Sequence, residues 1–215
     1  MTTHQATNST LQLFHHPASS CSRRVAITAR LLELPIEDHF IELADMRTRA
    51  QLAPLNPNRK IPVLVDGDFV LWESHAIMTY LCSKVPGQTL YPTEAKARAN
   101  VDRWLYWISS HLAPPVGTLN FERMIKKIVG AGAPDAEIVA RNEVQFRIGA
   151  AILEAQLAQR PWVCGATMTL ADISLGAQLM HAPSTQLPVA EYPNVARLAA
   201  AIQALPAWAE TARAA

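Results

Sequence analysis

Residues 56–77, NPNRKIPVLVDGDFVLWESHAI, gather the residue types suited to holding a small, charged, peptide-like ligand. A strand that opens on Pro62, a tight Asp66-Gly67-Asp68 turn, a second strand and a helix beginning at Glu73 and Ser74 follow one another within it. A helix start offers unpaired backbone N–H groups and the positive end of the helix dipole, so an anion is stabilised there. Ser19, Ser20 and Cys21 open another helix, and a thiol in a first helical turn ionises more easily than a free one. Nothing in the chain marks a histidine and carboxylate pair that would turn Ser19 into a nucleophile. GxSxG, P-loop and GxGxxG signatures are absent. The seven histidines lack metal-ligand spacing, and adjacent His15 and His16 point to opposite faces of a strand, so no metal is expected.

Composition narrows the class further. A chain of 215 residues holds one large or two modest domains, and with 50% hydrophobic residues it can bury a core. Its 19 basic and 18 acidic side chains create no field of one sign, which argues against nucleic acid or an anionic membrane as partner. No apolar run reaches the roughly 18 residues of a membrane span. The opening MTTHQATNST lacks the basic start and apolar stretch of a signal peptide, and residues 1–10 read as a disordered, solvated tail. Cys21, Cys82 and Cys164 are odd in number and far apart, which fits free thiols in a reducing cytoplasm.

The elements that position these residues follow from periodicity. Residues 11–15 alternate as a strand, Pro17 and Ala18 break it, and Ser19-Ser20 start a helix that buries Val25, Ala29 and Leu32 and stops near Leu34-Pro35. Residues 39–43 alternate again, giving a beta-alpha-beta unit with parallel strands. Residues 45–57 suggest a short helix and a loop, residues 63–65 and 69–72 an antiparallel hairpin, and residues 74–84 a helix. Beyond Val85-Pro86-Gly87 helical patterns take over. Residues 93–112 carry Val101, Leu105, Ile108 and Leu112 on one face and end at Pro114-Pro115. Further helices are predicted over 119–129, 135–159, from Thr169 with Asp172 completing a capping box, and over 195–204 and 206–213. The fold class is thus an α/β N-terminal thioredoxin-like domain, a mixed four-stranded sheet with helices, followed by an all-α helical-bundle domain. The divisions are 11–86, a linker over 87–92, and 93–215.

Three motifs in this order, ASSCSRRV at 18–25, residues 56–77 and TLADIS at 169–174, resemble the cytosolic glutathione S-transferases over essentially the whole chain from Leu11 onward. The resemblance implies glutathione as co-substrate, held at three places. Glu73 would face the γ-glutamyl ammonium, and Ser74 with its helix start would hold the carboxylate. An Ile61-Pro62 bond in the cis form would turn the Ile61 backbone outward to pair with the cysteinyl part. Lys60, and more distantly Arg47, would meet the glycyl carboxylate. Ser19 stands where serine-type members keep the hydroxyl that donates to the glutathione thiolate. Ser20 is the rival donor, and Cys21 is either reactive or a buried structural thiol.

The helix over 93–112 should border the site. Arg103, Trp107 and His111 share a face at spacings of four, and with Phe121 and Met124 they compose the candidate pocket for a small hydrophobic electrophile. Trp107 serves equally as pocket wall or core. Glu73-Ser74 and VDRWLYW look theta-like, whereas SSCS looks zeta-like, the type that isomerises maleylacetoacetate. The implied activity is conjugation of glutathione to small electrophiles, with isomerase, peroxidase or dehalogenase chemistry as alternatives and a non-catalytic binding member as another. The family also implies a homodimer.

Overall fold

The computed structural model describes residues 10–43 and 50–212. Contacts divide the chain into one unit of Met1–Lys84 with Thr211–Ala215 and a second of Val85–Glu210. The sequence divisions put residues 211–215 with the helices and a linker over 87–92. Here Leu90 is buried within the second unit, and its carbonyl accepts from Leu170 N–H at 3.0 Å.

In the first unit, β1 (Leu11–His15) alternates buried and half-buried residues. The helix α1 (Ser20–Leu31) ends earlier than Pro35 requires, because Glu33 adopts a left-handed φ of 53° that breaks the helix. The second strand, β2, is Ile36–Phe40 and not 39–43. Parallel pairing sets this: Leu11 lies opposite Ile36 and His15 opposite Phe40. As an edge strand, β2 buries no full face, so apolar alternation was a poor guide to its limits. Among the described residues, Ile41 extends the pairing beyond Phe40, its N–H donating to His15 C=O at 2.9 Å.

The strands β3 (Val63–Asp66) and β4 (Phe69–Trp72) form the expected antiparallel hairpin, with Gly67 at φ 63° in the first loop position. Sheet order is β2-β1-β3-β4, with β1 antiparallel to β3. The helix α2 (Ser74–Ser83) follows and packs against α1. Leu13, Val25, Ile27, Leu64, Ile77 and Leu81 are fully buried in this unit. At the far end of α2, Tyr80 Oη donates to Asp66 at 2.7 Å and Lys84 pairs with the same carboxylate, latching the helix to the hairpin. The short helix expected over 45–57 falls partly outside the described residues, and residues 51–55 form turns.

The second unit is helical. Its first stretch runs without a break through α3 (Ala95–Trp107), a π-helical turn (Ile108–Leu112), α4 (Ala113–Asn120), a second π-helical turn (Phe121–Ile125) and α5 (Lys126–Val129). Pro114-Pro115 therefore do not end a helix as the sequence suggested. The π turn closes with Ala113 N–H donating to Ile108 C=O, and both prolines fall in the first turn of the resumed α segment, where the missing N–H costs least.

Gly130 at φ 68° ends α5, and Asp135 caps α6 (Ala136–Leu157) through Glu137 and Ile138 N–H. Thr169 and Asp172 form the capping box of α7 (Leu170–Gln178). The chain closes through α8 (Ala182–Thr185), a 3-10 turn (Val189–Glu191), α9 (Pro193–Gln203) and α10 (Pro206–Glu210). A β-carbon at Gly176 would stand 2.6 Å from Ile202, so α7 and α9 approach closely at that point.

Candidate functional site

Ser19 is the cap of α1. Its φ of −91° and ψ of 120° are extended, and its Oγ accepts from Ser22 N–H at 3.3 Å. A hydroxyl has one hydrogen to donate and two lone pairs, so capping occupies an acceptor position and leaves the O–H available. The group therefore combines a donor with a helix N-terminus. Ser20 is the first residue of the helix and Cys21 the second, both half-buried.

The Lys60, Ile61 and Pro62 segment sits just ahead of β3. The Ile61–Pro62 peptide is cis, Pro62 is buried, and Ile61 is half-buried. Lys60 is exposed, and no ion pair of its ammonium occurs among the described residues. Its backbone carbonyl accepts from Asn56 Nδ2 at 2.8 Å, while Asn56 Oδ1 accepts from Asn58 N–H at 2.9 Å. Asn56 is itself buried, so it braces the loop that presents Lys60. Sequence reading passed over this role, although Asn-Pro-Asn carries the signal: an asparagine side chain readily bonds the backbone two residues on. Arg47 lies outside the described residues.

Glu73 and Ser74 begin α2. Glu73 takes φ 74° and ψ 109°, a region that side chains resist, and strain of this kind concentrates at functional sites. Its exposed carboxylate does not cap the helix. Ser74 is 93% buried by virtue of 7% exposure, and its hydroxyl has no protein partner among the described residues. No side chain caps α2, which leaves the Ser74 hydroxyl and the Glu73 carboxylate for something other than a helix cap. Such a set can hold an amino acid's carboxylate and ammonium together.

In the second unit, Trp107 stacks edge-on against Trp104 with centroids 5.3 Å apart and lies 5.9 Å from His111. Arg103 lies over the Trp104 ring at 5.5 Å and bonds Asn100 at 2.6 Å. Trp107 also meets α6, where a β-carbon at Gly149 would be 3.5 Å from its ring. It is half-buried, packed against a helix on one side and against exposed His111 on the other. Arg103, Trp107 and His111 accordingly form one cluster, through Trp104, which the sequence reading left out. Phe121 is exposed, with the Lys126 ammonium 6.0 Å from its ring, and Met124 is half-buried. Among the described residues no group of three or more potential ligands is placed to hold a metal ion.

A four-stranded mixed sheet whose helix starts carry Ser19 and Ser74, followed by a helical unit, defines a thioredoxin-like domain joined to an α-helical one. Residues 18–84 match the family described as the glutathione S-transferase N-terminal domain, and residues 112–206 the glutathione S-transferase C-terminal domain. Glutathione S-transferase 3 of Zea mays is 36% identical over 210 residues, covering 94% of this chain and 92% of its own. Glutathione S-transferase theta-2B of Homo sapiens is 32% identical over 174 residues, covering 80% and 71%. The solved structure of glutathione S-transferase III in apo form superposes with a TM-score of 0.81 at 34% identity, covering 94% of this chain and 95% of that one. The chain belongs to the glutathione S-transferase family. Because maize and theta-type relatives both match at this level, the likeness defines the family and not the subclass.

Proposed function

We propose that this protein is a glutathione transferase in which the Ser19 hydroxyl holds the glutathione sulfur as a thiolate for addition to small hydrophobic electrophiles. The observation that carries the reading is the Ser19 hydroxyl at the start of α1, whose oxygen accepts from Ser22 N–H and whose O–H donates to no partner among the described residues. A free thiol ionises near pH 8.5. Lowering that by about two units takes about 2.7 kcal/mol of preference for the anion. A hydrogen bond to a charged acceptor contributes about 1.5 to 3 kcal/mol and a helix N-terminus about 0.3 to 2, so no separate base is needed.

In the same reading Lys60 meets the glycyl carboxylate, the Ile61 backbone pairs with the cysteinyl part, and Glu73 and Ser74 take the γ-glutamyl end. Their support is the unspent donors and charge described for each. The thiolate then attacks an electrophilic carbon. With an aryl halide, a C–S bond forms and the halide leaves with its electron pair. With an α,β-unsaturated carbonyl, the C–S bond forms at the β-carbon, the double-bond electrons pass to an enolate, and the α-carbon then takes a proton from solvent. The Arg103, Trp104, Trp107 and His111 cluster is the proposed contribution of the helical unit to electrophile choice. The protein is further read as a homodimer of a reducing cytoplasm. Family membership supports the first, and three free cysteines, two of them pushed up by burial to about 12 at Cys82 and about 11 at Cys164, support the second.

The test is a panel of electrophiles assayed with glutathione: aryl halides, isothiocyanates, hydroperoxides and maleylacetone. Turnover of the first two supports conjugation. Turnover of maleylacetone or hydroperoxide alone replaces conjugation with isomerisation or peroxide reduction. Retention on immobilised glutathione with no turnover replaces it with a binding role.

A further inference from the structure

Arg24 lies on α1 five residues after Ser19, and only 2% of it is exposed. Its guanidinium reaches Nε2 of His75 at 2.5 Å across 51 positions of sequence. Guanidinium groups only donate, so Nε2 is the acceptor and the neutral ring carries its hydrogen on Nδ1. Burial, reinforced by the neighbouring Arg24 charge, pushes His75 down to about 3, which keeps it an acceptor at any ordinary pH. Burial also draws the Arg24 guanidinium below its usual range.

The position of this bond matters more than its strength. His75 is the residue after Ser74 in the first turn of α2, while Arg24 belongs to the helix capped by Ser19. The two helices pack together, and the bond joins them near their starts. A buried cation is an expensive way to join two helices, since apolar residues of the same size do so without loss of stability. What the charged pair adds is direction: a guanidinium and an imidazole lone pair fix the angle as well as the distance between the elements they join.

We propose that buried Arg24 and half-buried His75 form a positioning pair that keeps the Ser74 end of the glutathione site in register with the Ser19 end. The inference rests on the reading of that site given above. One tripeptide must reach both ends, so a shift of α2 against α1 weakens its grip without altering the reacting groups.

The experiment compares the parent with His75→Leu, which removes the acceptor, and His75→Gln, which keeps one. KM and kcat are measured for glutathione and for an aryl halide, with thermal unfolding alongside. His75→Leu is expected to raise the glutathione KM about tenfold, with kcat and the halide KM within about twofold, and His75→Gln to restore most of the loss. Should His75→Leu fail to fold, Arg24→Met, which removes donor and charge at similar volume, is judged by the same criterion. A glutathione KM within about twofold of the parent in these variants, or an equal loss in His75→Gln and His75→Leu, overturns the proposal. A lower melting temperature with unchanged KM does so as well, since it marks a purely structural pair. If the parent itself does not bind glutathione, the reading of the site falls and this inference with it.

Discussion

Replacing Asp172 by alanine removes an acceptor that serves Val163 N–H at 2.7 Å, Thr169 N–H at 2.8 Å and Thr169 Oγ at 3.0 Å. The side chain is fully buried, so no water replaces the lost carboxylate without rearrangement. A stranded buried donor costs about 1 to 3 kcal/mol, and two backbone N–H groups are stranded, giving about 3 kcal/mol after partial relaxation. For a chain of this size each kcal/mol moves the melting temperature by about 2 to 4 °C, so a fall of about 10 °C is expected by circular dichroism. Asp172→Asn keeps one accepting oxygen and should lose about half as much.

The charge has its own sign. Burial raises the Asp172 pKa, and the hydrogen bonds from Val163 and Thr169 oppose that rise. A raised carboxyl contributes stabilisation present below its unfolded value near 3.9 and lost as pH climbs through the folded value, so mild acid does not weaken the box through this group. A melting temperature within about 2 °C of the parent for Asp172→Ala would refute the reasoning, because it would mean the donors find other partners at no cost.

Gly176→Ala should destabilise by about 1 to 3 kcal/mol, because its β-carbon would stand 2.6 Å from Ile202. An unchanged urea midpoint would show that α7 and α9 part more easily than this contact implies. His75 supplies a pH dependence of the opposite sense to Asp172. Its pKa is lowered to about 3 by burial and by Arg24, so the stability it contributes is present above the unfolded value near 6.5 and falls as pH drops below that. Between pH 7 and pH 5 the parent should lose about 2 kcal/mol more than His75→Gln, by one proton's linkage. Equal losses in urea titrations would mean that His75 protonates freely in the folded state.

How legible these features were depends on how local their physics is. The Thr169–Asp172 box and the hairpin at Gly67 are each decided within four residues, and both stand where the sequence put them. The limits of β2 depend instead on its pairing with β1, which no pattern inside residues 36–43 reveals. Pro114-Pro115 misled because a π turn, closed by Ala113 and Ile108, placed them at the start of a new α segment. Of the proposed site, Ser19, Glu73 and Ser74 stand at helix starts and Lys60 just ahead of the cis Ile61–Pro62 bond, placements that their local residue types suggested. Asn56 was overlooked within its own motif. The bond from Arg24 to His75 joins residues 51 positions apart, and an arginine in a helix gives no sign of burial.

The central claim concerns one proton, that of the bound glutathione thiol. Its ultraviolet thiolate absorbance, titrated in the parent and in Ser19→Ala, measures that proton directly. The account predicts a parent pKa about two units below the free value near 8.5, and a rise of at least about one unit in Ser19→Ala. The variant should also lose about 1 kcal/mol of stability from the missing cap to Ser22 N–H, which a melt records separately. A bound thiol that titrates at the same pH in both proteins would contradict the account and move the donor role away from Ser19.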